Sequence, residues 1–150
     1  MSKIVFAEMK SGNPDDVDKV VEFFGGHARE WLDVGYRYVI GYRDGKPIVG
    51  ATCDSSYSEV DIETTEGVEV YAAMLGALEQ LARGVRSASI RTSMDAILDR
   101  PEFIAACIAQ GFVGDLVEMR KILDQEAHDA ERAKVRLDLV NAELQAEGVE

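Results

Sequence analysis

The chain is poor in several things. Its 150 residues include two cysteines, three prolines, one tryptophan and two histidines, and 16 Lys and Arg stand against 28 Asp and Glu. Cys53 and Cys107 form no C-x-x-C pair and are too few for a disulfide framework, so both read as reduced thiols suited to the cytoplasm. No run approaches the roughly 18 apolar residues of a membrane span, and the apolar stretch in MSKIVFAEMK is too short for a signal peptide. No His, Cys and Asp residues cluster at metal-ligand spacing, so no metal is expected. Neither G-x-S-x-G nor a P-loop is present. The formal net charge of -12 repels phosphate backbones. With no Lys/Arg cluster along the chain, direct nucleic-acid binding is not expected, and neither is a membrane partner.

What is present reads as alternating strands and helices. KIVFAEM, residues 3–9, is rich in β-formers. Asn13 then suits a cap, Pro14 the first helical position, and Asp15 and Asp16 the positive helix end. Val17, Val20, Val21 and Phe24 recur at helical spacing up to Gly25-Gly26. HAREWLDVG reads as a short second helix closed at Gly35. Asp44-Gly45 between two β-rich runs predicts a hairpin of residues 36–42 and 47–53. In SSYSEVDIE, Val60 and Ile62 face the core and Glu59, Asp61 and Glu63 the other side. Residues 68–83 carry a helical apolar stripe that includes Tyr71, Leu75 and Leu78, with Gly84 as its C′ residue. VRSASIRTS reads as a strand. A helix opened by Pro101 and closed by Gly111 buries Phe103, Ile104, Cys107 and Ile108. FVGDLVEMRKIL supplies one last strand, bent at Gly114. The tail, from Asp124 to Glu147, reads as a long charged helix with a narrow stripe of Leu137, Val140 and Leu144. His27 and His128 both read as surface residues.

Early strands joined by hairpins and later ones separated by helices make an α/β (α+β) fold with a mixed sheet and helices on both faces. In that order, PEFIAACIAQGFVGDLVEMRKIL looks like the closing unit of the GNAT N-acyltransferase superfamily, a helix ending in Gly111-Phe112 followed by a strand of alternating apolar residues. The chain resembles that superfamily by element order over about residues 3–123, and by local sequence only from Pro101 to Leu123. The resemblance implies a GNAT-like, mostly antiparallel twisted sheet of about six or seven strands. Residues 1–123 would form that domain, and 124–150 a C-terminal helical extension.

The resemblance also implies an acyl-CoA site in a V-shaped opening between SEVDIE and VRSASIRTS, with the pyrophosphate on the N-terminus of the following helix. The family loop there reads Gln/Arg-x-x-Gly-x-Gly/Ala, whose glycines admit the phosphates and whose basic residue neutralises them. Here the stretch is ETTEGVEVY, with Gly67 alone, no Arg or Lys, and Glu63, Glu66 and Glu69. A carboxylate some 4–6 Å from a phosphate costs about 1 kcal/mol or more near a surface, as much as a helix N-terminus offers an anion. Glu66 and Glu69 are expected to satisfy the helix start themselves. If the site is active, Ile62, Thr64, Gly67 and Val68 would hold acetyl-CoA through backbone donors. Glu63 would be the general base. Cys107, four residues before the Gly of GF, stands where many members place a proton-donating Tyr. Otherwise Cys107 is a small buried hydrophobe, Glu63 a solvated strand end, and no cofactor binds.

The first functional expectation is therefore a non-catalytic binding or structural module with an eroded acyl-CoA site. Some tailed phages encode GNAT-like proteins with equally eroded motifs, so a virion component or assembly factor, in virion or host cytoplasm, fits that style. The second is an acetyl-CoA-dependent N-acetyltransferase with a non-standard loop. A third, an acidic mimic that sequesters a basic protein surface, rests on net charge alone. A long helix with a three-residue apolar stripe is marginal alone in water. It is expected to dock on a protein partner, or on a second copy, through Leu137, Val140 and Leu144.

Overall fold

Asp44 and Gly45 set the register of the sheet. Both take positive φ, 52° and 78°, as the two central residues of a type I′ hairpin turn must. In the computed structural model, which describes residues 3–115 and 117–146, this turn joins β2 (Arg37–Arg43) to β3 (Lys46–Cys53). Before them come β1 (Val5–Met9), α1 (Pro14–Phe24) and α2 (Ala28–Asp33). After them come β4 (Val60–Thr64), α3 (Val68–Gly84), β5 (Ser89–Ser93), α4 (Pro101–Ala109), β6 (Val113–Gly114), β7 (Glu118–Ile122) and α5 (Gln125–Ala146).

β1 to β4 form an antiparallel sheet in chain order, and β5, β7 and β6 form a second antiparallel sheet in that spatial order. The two meet at one parallel bridge, Glu59 with Arg91, where the Arg91 N–H donates to the Ser58 carbonyl at 2.8 Å. Beyond it, among the described residues, β4 pairs only with β3. The strands thus touch near the start of β4 and part towards its end, which is the V-shaped opening that the resemblance implies.

Neighbouring residues of a strand face opposite sides, and β2 divides two apolar clusters accordingly. Tyr38 and Ile40 pack with Val20, Ala28 and Leu32 of α1 and α2. Val39 packs with Tyr71, Leu75 and Leu78 of α3 and Phe103 of α4. Helices therefore cover both faces of the sheet. The close approach of α1 depends on Gly50, where an added Cβ would stand 2.5 Å from both Phe23 and Phe24. As expected, Asn13 caps α1, its side chain accepting the N–H groups of Asp15 and Asp16.

Several local expectations give way to the structure. FVGDLVEMRKIL is a hairpin of β6 and β7 rather than one bent strand, because Asp115 accepts the N–H groups of Val117 and Glu118 at 2.7 and 2.9 Å and turns the chain; Leu116 of that run lies outside the described residues. Gly84 ends α3 as a helical residue, and Arg86 takes the left-handed turn instead, φ 59°. Ile108, expected in the core, is 59% exposed, because α4 is short and turns only Phe103 and Cys107 fully inward. His128, expected at the surface, is 4% exposed. His27 is exposed as expected.

Candidate functional site

The mouth of the opening lies where β4 hands over to α3. The turn is tied back to the sheet: the Thr65 N–H and the Thr64 hydroxyl both donate to the Ile48 carbonyl, at 3.3 and 3.0 Å. The Thr64 hydroxyl oxygen in turn accepts the Glu66 N–H at 3.0 Å. Gly67 is the N-cap of α3, and no side chain caps it. The expectation that Glu66 and Glu69 close the helix start themselves is therefore corrected. Thr64 takes one donor, and among the described residues no side chain accepts from the N–H groups of Gly67, Val68 or Glu69. Glu66 and Glu69 are exposed beside that turn. Their charge favours the helix dipole without forming a cap.

Behind the mouth, α3 and α4 are closed on each other. The Tyr71 and Phe103 rings stack with centroids 4.2 Å apart and planes 15° from parallel. The Tyr71 hydroxyl lies 3.6 Å from the Cys107 thiol. The Gln110 amide donates to the Ala72 carbonyl at 2.8 Å, pinning the end of α4 to the same turn of α3. Met94 and Ile97, in the loop after β5, are buried in this cluster. Cys107 is fully buried. Burial pushes its thiol up despite the Tyr71 hydrogen bond, and burial with the neighbouring Cys107 pushes the Tyr71 hydroxyl far up. An acid so reluctant to ionise is a poor proton donor to a leaving thiolate near neutral pH. Ile62 and Val68 are half-buried against the same core.

The outer edge is polar. A cleft of about 410 Å³ runs between β4, β5 and the start of β7, lined by Glu59, Asp61, Arg91, Ser93 and Glu118. Arg91 donates twice to one Glu59 oxygen, at 3.2 and 2.7 Å. Partial desolvation, then the Glu59 carboxylate, pushes the Asp61 carboxyl up. Glu63 shares the face of Asp61 but opens into another cavity, of about 610 Å³, with Lys19, Glu22 and Tyr42. The structure therefore does not bring Glu63 and Cys107 together: one is exposed towards α1, the other is sealed between α3 and α4. Asp61 is the β4 carboxylate at the parting of the strands. Strict alternation puts Asp61 and Glu63 on one face, so the sequence alone could not choose between them.

α5 is preceded and capped by Asp124, whose carboxylate accepts the Ala127 N–H at 3.0 Å. Its one buried polar residue among those described is His128. Leu137 and Val140 are 60% and 51% exposed; the side chain of Leu144 lies outside the described residues. Among those residues, no group of His, Cys, Asp and Glu is placed to hold a metal. Among the described residues, no helix is long and apolar enough to cross a membrane.

No family model matches the chain, and no curated protein matches it. Solved structures do. YhhK from E. coli, solved bound to coenzyme A, superposes with a TM-score of 0.59 at 15% identity, over 80% of this chain and 98% of that one. YncA from Salmonella typhimurium, solved with its cofactor acetyl-CoA, gives 0.59 at 12% identity, over 81% and 95%. The N-acetyltransferase PseH of Campylobacter jejuni, in complex with acetyl coenzyme A, gives 0.57 at 12%, over 82% and 99%. At these identities the match shows the fold. The chain has the GNAT fold, a mixed α/β architecture that includes a C-terminal helix.

Proposed function

We propose that this GNAT-fold chain is a binding module whose acyl-CoA site has eroded, and that α5 is its docking element. The observation that carries this reading is the closure of α3 on α4 by the Tyr71–Phe103 stack, with Cys107 buried beneath it. Neither Tyr71, Phe103 nor Cys107 lines the cleft between β4 and β5, so a thioester seated there would have no proton donor at Cys107, and a diphosphate at Gly67 would meet Glu66 and Glu69 with no Lys or Arg nearby in the sequence. Docking runs through the exposed Leu137 and Val140, continued by Leu144 at helical spacing, onto a protein partner or a second copy. A phage virion or assembly factor is one setting for such a module. The test is calorimetric titration of the full chain with acetyl-CoA. No heat and no thermal shift at millimolar ligand is expected, and micromolar binding would overturn the reading.

One observation favours a second reading, an acetyl-CoA-dependent N-acetyltransferase. The N–H groups opening α3 have no side-chain acceptor, which is the donor arrangement a pyrophosphate needs. Under that reading Thr64, Gly67 and Val68 frame the diphosphate and Asp61 replaces Glu63 as the base. Because the Asp61 carboxyl is pushed up, and a base must be ionised, the rate would rise as pH climbs through its raised pKa.

A further inference from the structure

The protein is strongly acidic, yet one groove is basic. It lies between α5 and the outward face of β5 and β7 and encloses about 610 Å³. Arg91 of β5, Arg120 of β7, and Arg132, Lys134 and Arg136 of α5 line it, against the three carboxylates Glu118, Glu131 and Asp138. Five cations against three anions make this a local excess of two positive charges, on a chain whose net charge is -12. The sequence shows only part of it: Arg132, Lys134 and Arg136 are near neighbours in ERAKVR, while Arg91 and Arg120 join them from two distant strands. Among the described residues, Arg132, Lys134 and Arg136 make no ion pair. Arg91 spends two donors on Glu59, and its approach to Glu118, at 3.8 Å, is longer than a hydrogen bond, as is that of Arg120, at 3.6 Å.

His128 gives an independent sign of a ligand. It lines the same groove and is 4% exposed, and among the described residues its Nε2 has no hydrogen-bond partner, as is true of Oε2 of Glu118 in that groove. A buried imidazole nitrogen without a partner costs stability unless something completes it. A phosphoryl oxyanion accepting from Nε2–H meets that need together with the guanidiniums of Arg132 and Arg136, and its remaining hydroxyl supplies the donor that Oε2 of Glu118 lacks.

We propose that this groove binds the phosphoryl group of a small phosphorylated ligand. Guanidinium forks match phosphate oxygens bidentately. Donors arriving from β5, β7 and α5 surround an anion from several directions, which suits a tetrahedral group better than a planar carboxylate with two oxygens. Glu59 and Asp61 border the groove through the adjoining cleft, which shares Arg91 and Glu118 with it. They would repel a long phosphate backbone and admit one compact anion. The site is separate from the α3–α4 closure and stands whether or not acetyl-CoA binds.

The experiment titrates the full chain with inorganic phosphate, glycerol 3-phosphate and, as the carboxylate control, acetate. Calorimetry follows the binding, and nitrogen NMR follows the His128 ring. Saturable binding of glycerol 3-phosphate is expected, tighter than acetate by tenfold or more, with a shift of the His128 Nε2 resonance. It should weaken at least tenfold in the Arg132→Ala/Arg136→Ala variant, whose changes are exposed and leave the core intact, and stay unchanged in Lys46→Ala on the distant hairpin. Binding of inorganic phosphate alone, with the ester excluded, would mean an adventitious ion only and would overturn the proposal. So would equal affinity in the double variant, or a His128 resonance that does not move.

Discussion

The hydroxyl of Tyr71 and the thiol of Cys107 face each other at 3.6 Å inside the core. Both groups are pushed up by burial, and Cys53 is buried and pushed up as well. A thiol reacts as its thiolate, and only when reagent reaches it. Neither cysteine should therefore react with a disulfide reagent in native buffer at mildly alkaline pH, and two thiols per chain should appear on adding denaturant. Rapid labelling of one thiol in the folded protein would show that α3 and α4 open. Phe103→Ala removes half of the stack and should cost about 3–5 kcal/mol, read as a fall in the denaturation midpoint with the native fold retained.

Gly50 tests the packing of the opposite face. A methyl group there would stand 2.5 Å from two rings of α1, and both belong to a tight aromatic group, with Phe24 centred 4.8 Å from Phe23 and from Tyr38. Gly50→Ala should destabilise by about 1–3 kcal/mol through overpacking. The companion Gly50→Ala/Phe23→Leu should recover part of the loss in chemical denaturation. A neutral Gly50→Ala would place α1 further from the sheet.

Such relationships mark the boundary of what the sequence made legible. Asn13-Pro14, Asp44-Gly45 and the alternation of Val60 and Ile62 act on the chain within a few residues, so their effects could be read in place. The β6–β7 hairpin was missed although Asp115 is a turn former, because the flanking apolar residues imitate one strand. His128 looks polar on a charged helix; only its contact with a distant sheet buries it. Asp61 and Glu63 are equivalent by alternation, and the parting of β4 from β5 tells them apart. Arg132, Lys134 and Arg136 are near neighbours in the chain, but the fold alone brings Arg91 and Arg120 to them across the α5 groove.

Lys121 links α3, β7 and the end of α4. Its ammonium donates to the Gln110 carbonyl at 2.8 Å and pairs with Glu79 at 2.5 Å. Burial pushes Glu79 up, but hydrogen bonds from Lys121 and Arg83 outweigh it and hold the carboxyl below its ordinary 4.5. A carboxylate depressed by folding adds stability above the unfolded-state value, and that stability is lost as pH falls through the folded one. Lys121→Met should therefore cost about 1.5–3 kcal/mol at neutral pH. Its deficit against the parent should shrink as pH falls below about 4, and a pH-independent deficit would show that only the Gln110 bond matters.

The exposed stripe of α5 predicts association. If a second copy covers Leu137 and Val140, the chain sediments as a dimer at high concentration and Leu137→Ser/Val140→Ser/Leu144→Ser as a monomer, with unchanged thermal stability of the domain. A monomeric parent would exclude the second copy and leave a different protein as the occupant.

The mouth of the opening makes the sharpest electrostatic prediction. Gly67, Val68 and Glu69 present N–H groups without side-chain acceptors, beside the exposed Glu66 and Glu69 carboxylates. If the wrong sign of charge is what excludes a diphosphate, Glu66→Lys/Glu69→Lys should gain affinity for coenzyme A. Each carboxylate a few ångström from the diphosphate costs about 1 kcal/mol or more, and each 1.4 kcal/mol recovered is about tenfold in affinity. Pantetheine lacks the diphosphate and separates charge from closure. If the Tyr71–Phe103 stack also blocks the arm, pantetheine fails to bind parent and variant alike, and the variant's gain for coenzyme A falls with added salt, as surface electrostatics must. Micromolar binding of coenzyme A by the parent would defeat the charge argument, and binding of pantetheine by the parent would defeat the closure.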